Sequence, residues 1–266
     1  MLDINFLKTT NSKTINEFRK ALYNNLTAPI DSMWEALYIA NSETYLIENV
    51  NQTIGYCCID ENKSLLQLYV THENRHLIKP IIKQLIEATL ITSASLSSIE
   101  PISFNACLNL STSTKTNTYC YEYSDSFLNI ENTLNLELVS KDNSELLRTF
   151  YKNHIGFDDT FGYVDNLILR KELFMVKDAN TILTTGECRL SDSQLNYADV
   201  GVAVNKEHRK KGLATKMLQQ LAKEAIKQNR KPICSTTIDN IGSQKAIEKA
   251  DFYCSNIIFD MKFIKS

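Results

Sequence analysis

The sequence predicts an α/β (α+β) protein made of two related units. Three observations point there. Charged residues at 23% and hydrophobic residues at 43% match a globular chain and exclude a disordered one. A length of 266 residues suits one or two domains of roughly 100–200 residues each. Both halves also repeat one order of elements: helix, strand, strand, strand, long amphipathic helix, strand. Within that order LYVTHENRHLIKPIIKQLI (68–86) lines up with VAVNKEHRKKGLATKMLQQL (202–221), pairing Val70 with Val204, Glu73 with Glu207 and Arg75 with Arg209. We divide the chain into residues 1–126 and 127–266.

In the first half, a helix is expected from Ser12 to about Leu26. Strands follow at Thr44–Glu48, Ile54–Ile59 and Leu65–Val70. Ile78, Ile81, Ile82, Leu85 and Ile86 fall at helical spacing and predict a helix over about Leu77–Thr92. Thr114–Asn117 reads as a turn and Tyr119–Tyr123 as a short aromatic strand.

The pattern resets around Ser124–Ser126. A strand is expected over Leu134–Val139, then a helix capped by Ser144 that runs through His154 and stops at Gly156. Glu172–Val176 and Thr181–Arg189 form a strand pair joined by a turn at 177–180. Tyr197–Val204 alternates cleanly, with Val200, Val202 and Val204 on one face and Asp199, Gly201 and Ala203 on the other. Leu213–Asn229 is an amphipathic helix: Ala214, Met217, Leu218, Leu221, Ala222, Ala225 and Ile226 make one stripe, and Lys and Gln fill the opposite face. A strand at Ile233–Ile238, a short helix at Ser243–Lys249 and a strand at Ile257–Ile264 complete the half.

Charge and cysteine usage narrow the function. With 29 basic and 31 acidic side chains the net charge is -2, which argues against binding nucleic acid through phosphate contacts. The seven cysteines include no C-x-x-C pair, so neither a disulfide framework nor a zinc site is expected; buried reduced thiols in a cytoplasmic protein are. His72 and His76 sit at a strand end and loop, and no metal is expected there. The first residues lack a basic stretch followed by an apolar run, and no apolar run reaches the ~18–20 residues of a membrane span. Neither a signal peptide nor a membrane partner is expected.

The junction Val202–Ala214 carries the chemistry. A valine-rich strand runs through Asn205, Arg209, Lys210 and Lys211 into a helix that starts beside Gly212. Amides at a helix N-terminus and the helix dipole favour an anion, and glycine lets a phosphate approach the backbone. A phosphate or pyrophosphate is the natural ligand.

Arg209-x-x-Gly212-x-Ala214 after that strand resembles the R/Q-x-x-G-x-G/A pyrophosphate loop of the GNAT superfamily of N-acetyltransferases. A second segment, Asn240-x-x-Ser243-x-x-Ala246-x-x-Lys249-x-x-Phe252, resembles that family's N-x-x-S-x-x-(A/L)-x-x-K-x-G-F stretch. The resemblance implies tandem GNAT-like units, each a mixed, mostly antiparallel sheet flanked by helices. It implies acetyl-CoA as acyl donor, with its diphosphate on the amides from Arg209 through Lys210, Lys211, Gly212, Leu213 and Ala214 to Thr215. The pantetheine arm would lie along Val202 and Val204. Asn240 and Ser243 would stand beside the coenzyme, and Phe252 would pack beneath it. The acceptor would be a primary amine on a small molecule or peptide, attacked by direct transfer.

The departures are specific. The usual glycine before the aromatic is Asp251. The helix position that often carries a tyrosine acid is Ile247, and the strand position that often carries a glutamate base is Gly201. Direct transfer needs a base for the attacking amine. Glu187 and Asp199 are the candidates, with Tyr163, Tyr197 and Cys234 as candidate acids. In the first half, Ile78 stands where Gly212 does and Pro80 where Ala214 does, which blocks backbone approach and removes an N–H. One coenzyme site is therefore expected, in the second half. The first half is expected to be a degenerate GNAT-like copy serving as scaffold, substrate wall or homodimer surface. The competing class is a non-catalytic acyl-CoA sensor, suggested by the missing tyrosine and glutamate.

Overall fold

A computed structural model describes residues 4–124, 134–160, 162–179 and 181–263. In chain order the elements are β1 (Ile4–Lys8), α1 (Ser12–Tyr23), β2 (Glu43–Asn49), β3 (Gln52–Ile59), β4 (Ser64–Val70), α2 (Ile78–Glu87), β5 (Ser93–Ser97), α3 (Pro101–Leu110), β6 (Ser113–Tyr123), β7 (Glu137–Leu138), α4 (Ser144–Phe150), α5 (Tyr163–Leu169), β8 (Leu173–Asp178), β9 (Thr181–Leu190), β10 (Tyr197–Val204), α6 (Leu213–Lys227), β11 (Lys231–Thr237), α7 (Ile241–Lys249) and β12 (Phe252–Lys262).

The chain forms two compact units. The first takes Met1–Tyr119 and Asn256–Ser266, the second Cys120–Ser255. The division expected between residues 126 and 127 lies outside the described residues. The last segment differs from that division: Ile258–Lys262 pairs antiparallel with Ser97–Ser93 and so joins the sheet of the first unit.

In the first unit β1, β2, β3 and β4 are joined antiparallel in sequence order, and β5 lies parallel to β4. The helical spacing of α2 has its consequence here. Ile81, Ile82 and Leu85 are fully buried against Ile54, Leu68 and Leu96, each burial stabilising by roughly 1.5–3 kcal/mol. The lone Trp34 is buried and stacks on Tyr38 at 4.5 Å.

In the second unit β7, β8, β9 and β10 are antiparallel, and β11 lies parallel to β10. α6 buries Met217, Leu218, Leu221, Ala222 and Ala225. Ile226, expected on this stripe, is exposed at the helix end. α6 crosses β9 at Gly186, where an added Cβ would stand 2.9 Å from Leu221 Cδ1. Sheet and helix meet this closely because residue 186 has no side chain.

Several elements depart from the expectations. β1, β5, α3 and α5 carry too little periodic signal to be read: β5 is SASLS, and α3 mixes Asn and Ser with apolar residues. β6 begins at Ser113, so the Thr-rich stretch read as a turn is strand, in keeping with the β-preference of Thr. The strand expected over Leu134–Val139 shortens to Glu137–Leu138. The helix from Ser144 gives way at Tyr151 to a π-turn over Tyr151–Ile155, closed by Gly156 at φ +78°. Six cysteines are buried; Cys254 is exposed, against the expectation of burial. No helix is long and apolar enough to cross a membrane among the described residues.

Candidate active site in the second unit

β10 pairs with β9 from Ala198 to Val204, but with β11 only at Tyr197, Ala198 and Asp199. From Val200 onward β10 and β11 diverge, so the β11-facing edge of Val200–Val204 has no partner in β11. Val202 and Val204 lie half-buried in this stretch. An unpaired strand edge offers N–H and C=O groups to an extended ligand.

The chain then turns sharply. Asn205 is buried; its Oδ1 accepts from the Glu207 N–H at 3.0 Å and its Nδ2 donates to the Ile182 carbonyl at 3.0 Å. Lys210 and Gly212 both take left-handed backbone, at φ +63° and +78°. A Cβ at Gly212 would meet nothing within 4 Å, so its backbone angle, not crowding, calls for glycine. α6 begins at once: the Lys216 N–H reaches the Gly212 carbonyl at 3.1 Å. By helix geometry the amides of Leu213, Ala214 and Thr215 have no acceptor within the helix. Such a cluster of oriented N–H groups suits a phosphate.

Charge around the loop is divided. Lys210 and Lys211 are exposed. Arg209 instead reaches back, its Nη2 donating to the His154 carbonyl at 2.9 Å, while Lys206 Nζ donates to the Asn153 carbonyl at 2.8 Å. These two side chains tie the loop to the π-turn.

α7 is fastened beside α6, where Thr215 Oγ1 donates to the Ala246 carbonyl at 3.3 Å. Asn240 caps α7 by accepting from the Ser243 N–H at 3.2 Å. Ile247 is buried. Asp251 takes φ +71°, so aspartate itself makes the left-handed turn expected of glycine, and its carboxylate accepts from Ser124 Oγ at 2.5 Å. Phe252 is buried edge-on to Tyr123 at 5.2 Å.

The sheet face away from α6 carries a polar cluster. Register sets Glu187 opposite Gly201 and Arg189 opposite Asp199. The Glu187 carboxylate lies over Gly201: a Cβ there would stand 3.5 Å from Oε2. The carboxylate on the neighbouring strand thus occupies the space above the strand position that lacks one. Tyr151 donates its hydroxyl to Glu187 Oε1 at 3.0 Å, and Tyr163 donates to Oε2 at 2.6 Å. Arg189 bonds to both carboxylates, to Glu187 through Nη1 and to Asp199 through Nη2 at 2.8 Å. Burial alone would lower the proton affinity of this guanidinium; Asp199 and Glu187 more than offset that and hold it well above its usual value. Burial, then Glu187, raise the phenols of Tyr151 and Tyr163, so both stay protonated as donors.

Glu187 and Asp199 are thus brought together, with Arg189 between them. Asp199 is 1% exposed and Glu187 is reached more easily. Among the candidate acids only Tyr163 joins this cluster. Cys234 is buried at the first position of β11 beyond its pairing with β10. Tyr197 lies at the paired end of β10, seven residues or roughly 23 Å of extended strand from Val204. Arg189 and Tyr151 were missed by sequence reasoning. The signal for Arg189 was available: two residues after Glu187 on a strand is the same face.

Two family models match the chain: an acetyltransferase (GNAT) domain over residues 11–124 and the acetyltransferase (GNAT) family over residues 136–252. Among solved structures, an acetyltransferase from the GNAT family from Colwellia psychrerythraea is 28% identical, covers 98% of this chain and 100% of its own, and superposes with a TM-score of 0.91. A GCN5-related N-acetyltransferase from Sphaerobacter thermophilus is 12% identical, with 99% and 96% covered and a TM-score of 0.66. A tandem GNAT protein from the clavulanic acid biosynthesis pathway is 12% identical, with 97% and 98% covered and a TM-score of 0.60. No curated protein matches. The chain belongs to the GNAT acetyltransferase family and carries two GNAT domains in tandem.

Proposed function

We propose that the second unit transfers an acetyl group from acetyl-CoA to a primary amine of a small molecule or peptide, by direct attack, in the cytoplasm. The observation that carries this reading is the Glu187 carboxylate over Gly201, on the same strand, β10, whose open edge runs into the Gly212 loop. The residues fit the coenzyme. The amides of Gly212–Thr215 and the charges of Lys210 and Lys211 would hold its diphosphate, Val202 and Val204 would hydrogen-bond its pantetheine arm, and Asn240, Ser243 and Phe252 would flank it. When bound, it supplies an activated acyl thioester.

The protein's own groups handle the amine. An ammonium group cannot attack, so a proton must first leave. Glu187 takes it, directly or through one water; the amine then forms the C–N bond as the thioester C–S bond breaks, and its second proton ends on the departing thiol sulfur. Tyr151 and Tyr163 aim the two carboxylate oxygens, and Arg189 holds Glu187 in place while pairing with Asp199. Asp199 acts through Arg189 and is a positioning residue.

The test is coenzyme A thiol release over a panel of polyamines, amino acids, aminoglycosides and peptides, with wild type and Glu187→Gln. We expect turnover on at least one amine, and a kcat about 10²–10⁴-fold lower in the variant with unchanged acetyl-CoA affinity. Coenzyme binding without release on any amine would instead leave a sensor.

A further inference from the structure

The first unit holds a cavity of about 190 Å³ that acyl transfer in the second unit does not use. It opens where β4 runs past β5. Their parallel pairing is given by Ser64 with Ser93 and Leu65 with Ala94, and Leu68, Tyr69 and Val70 beyond it line the space. Leu22 and Leu26 line another side, with Ile78 and Ile102. The volume is below the roughly 300–1,000 Å³ of drug-sized ligand sites, so the ligand is small.

A buried carboxyl group and a guanidinium line this space. Glu100 is 6% exposed, and its carboxyl accepts from Ser103 Oγ at 3.2 Å. It forms no ion pair among the described residues. Burial pushes it up to about 8, against the pull of Ser103 and the Leu68 backbone. The ionisable groups that face it from β3 and α3 are the Tyr56 phenol and the Cys107 thiol, both raised first by burial and so neutral. Arg75 lines the same cavity; the exposed Glu73 carboxylate, two residues before it, feels its charge, but no ion pair holds it among the described residues. A buried acid and a half-exposed guanidinium on one small cavity, with Leu22, Leu26 and Ile102 between polar neighbours, complement a ligand carrying both charges on a short apolar body.

We propose that this cavity binds a free α-amino acid with an apolar side chain, its ammonium group on Glu100 and its carboxylate on Arg75. The side chain lies against Leu22, Leu26 and Ile102. The inference does not depend on catalysis in the second unit.

Calorimetric titration of L-leucine into the full chain tests it, with isopentylamine and 4-methylpentanoate as analogues that each lack one charge. We expect leucine to bind, and each analogue to bind at least tenfold more weakly. Arg75→Gln, on a half-exposed side chain, and Glu100→Gln should each weaken leucine at least tenfold, while Glu187→Gln leaves it unchanged. At pH 7 binding ionises Glu100, so the heat should vary with the buffer's ionisation enthalpy as a proton is released. No binding at millimolar leucine overturns the proposal. So does unchanged affinity in folded Glu100→Gln or Arg75→Gln, or isopentylamine binding as tightly as leucine.

Discussion

The same junction is built twice, and the two versions differ at one turn. In the first unit β4 ends at Val70, a 3-10 turn over His72–Leu77 follows, and α2 starts at Ile78 without a break, Leu77 being right-handed helical. In the second unit β10 ends at Val204, a 3-10 turn over Lys206–His208 follows, and the chain then takes two left-handed residues, Lys210 and Gly212, before α6. A continuous run from 3-10 turn to helix uses its own amides, and Pro80 removes one more. The broken run presents the amides of the first turn of α6. The difference teaches that the strand–helix frame survives without the phosphate loop. The first unit, which lacks that loop, has a small open cavity beside β4 lined by Glu100 and Arg75.

The comparison can be broken or sharpened by substitution. The largest effect is expected at Arg189, the mostly covered arginine of the second unit. Arg189→Met leaves Glu187 and Asp199 facing each other, and should destabilise that unit by about 3–5 kcal/mol in urea unfolding followed by circular dichroism. Arg75→Gln, on the half-exposed arginine of the first unit, should stay within about 0.5 kcal/mol of wild type.

Next in size is a pH effect confined to the first unit, read through its own Trp34. Folded Glu100 holds its proton to about 8, above the ordinary carboxylate value, so the folded state binds more protons than the unfolded one. Stability is therefore expected to fall as pH rises, by about 1.4 kcal/mol per pH unit between about 5 and 8, and to level off above. Urea midpoints followed by Trp34 fluorescence check this. In Glu100→Gln that slope should vanish.

A smaller loss than at Arg189 concerns the loop. A Cβ at Gly212 meets no atom, so Gly212→Ala should cost only its left-handed backbone, about 1–2 kcal/mol in thermal unfolding. The same change in backbone preference should weaken acetyl-CoA binding. A larger loss of stability would mean that residue 212 is crowded.

What was legible in the sequence was what repeats with a short period. Tyr197–Val204 alternates over its whole length and its ends come out as read; α6 starts at Leu213 as its stripe requires. β5 and α3 were not legible because small and polar residues fill them and their stability comes from neighbours distant in sequence. Asn256 Nδ2, for example, donates to Ser97 Oγ at 2.9 Å. The assignment of the last strand to the first unit has the same cause, since pairing of Ile258 with Ser97 spans most of the chain. At the candidate site the loop could be read because it is one continuous motif. The polar cluster could be read only in part: Glu187 and Asp199 stood out as carboxylates on adjacent strands, but their link through Arg189 needs the β9–β10 register, and Tyr151 needs the π-turn that ends α4. Asp251 shows the converse, a departure from the motif that leaves the turn intact because aspartate tolerates left-handed backbone.

The central claim is that this tandem chain has one coenzyme site and that the site is the loop at Gly212. Calorimetric titration of acetyl-CoA into the full chain tests it most directly, with wild type and Gly212→Glu compared at the same ionic strength. The account predicts one molecule bound per chain, and loss of binding of at least a hundredfold in the variant, because the added carboxylate meets the diphosphate with bulk and like charge. Two molecules bound per chain, or undiminished binding in Gly212→Glu, would contradict it.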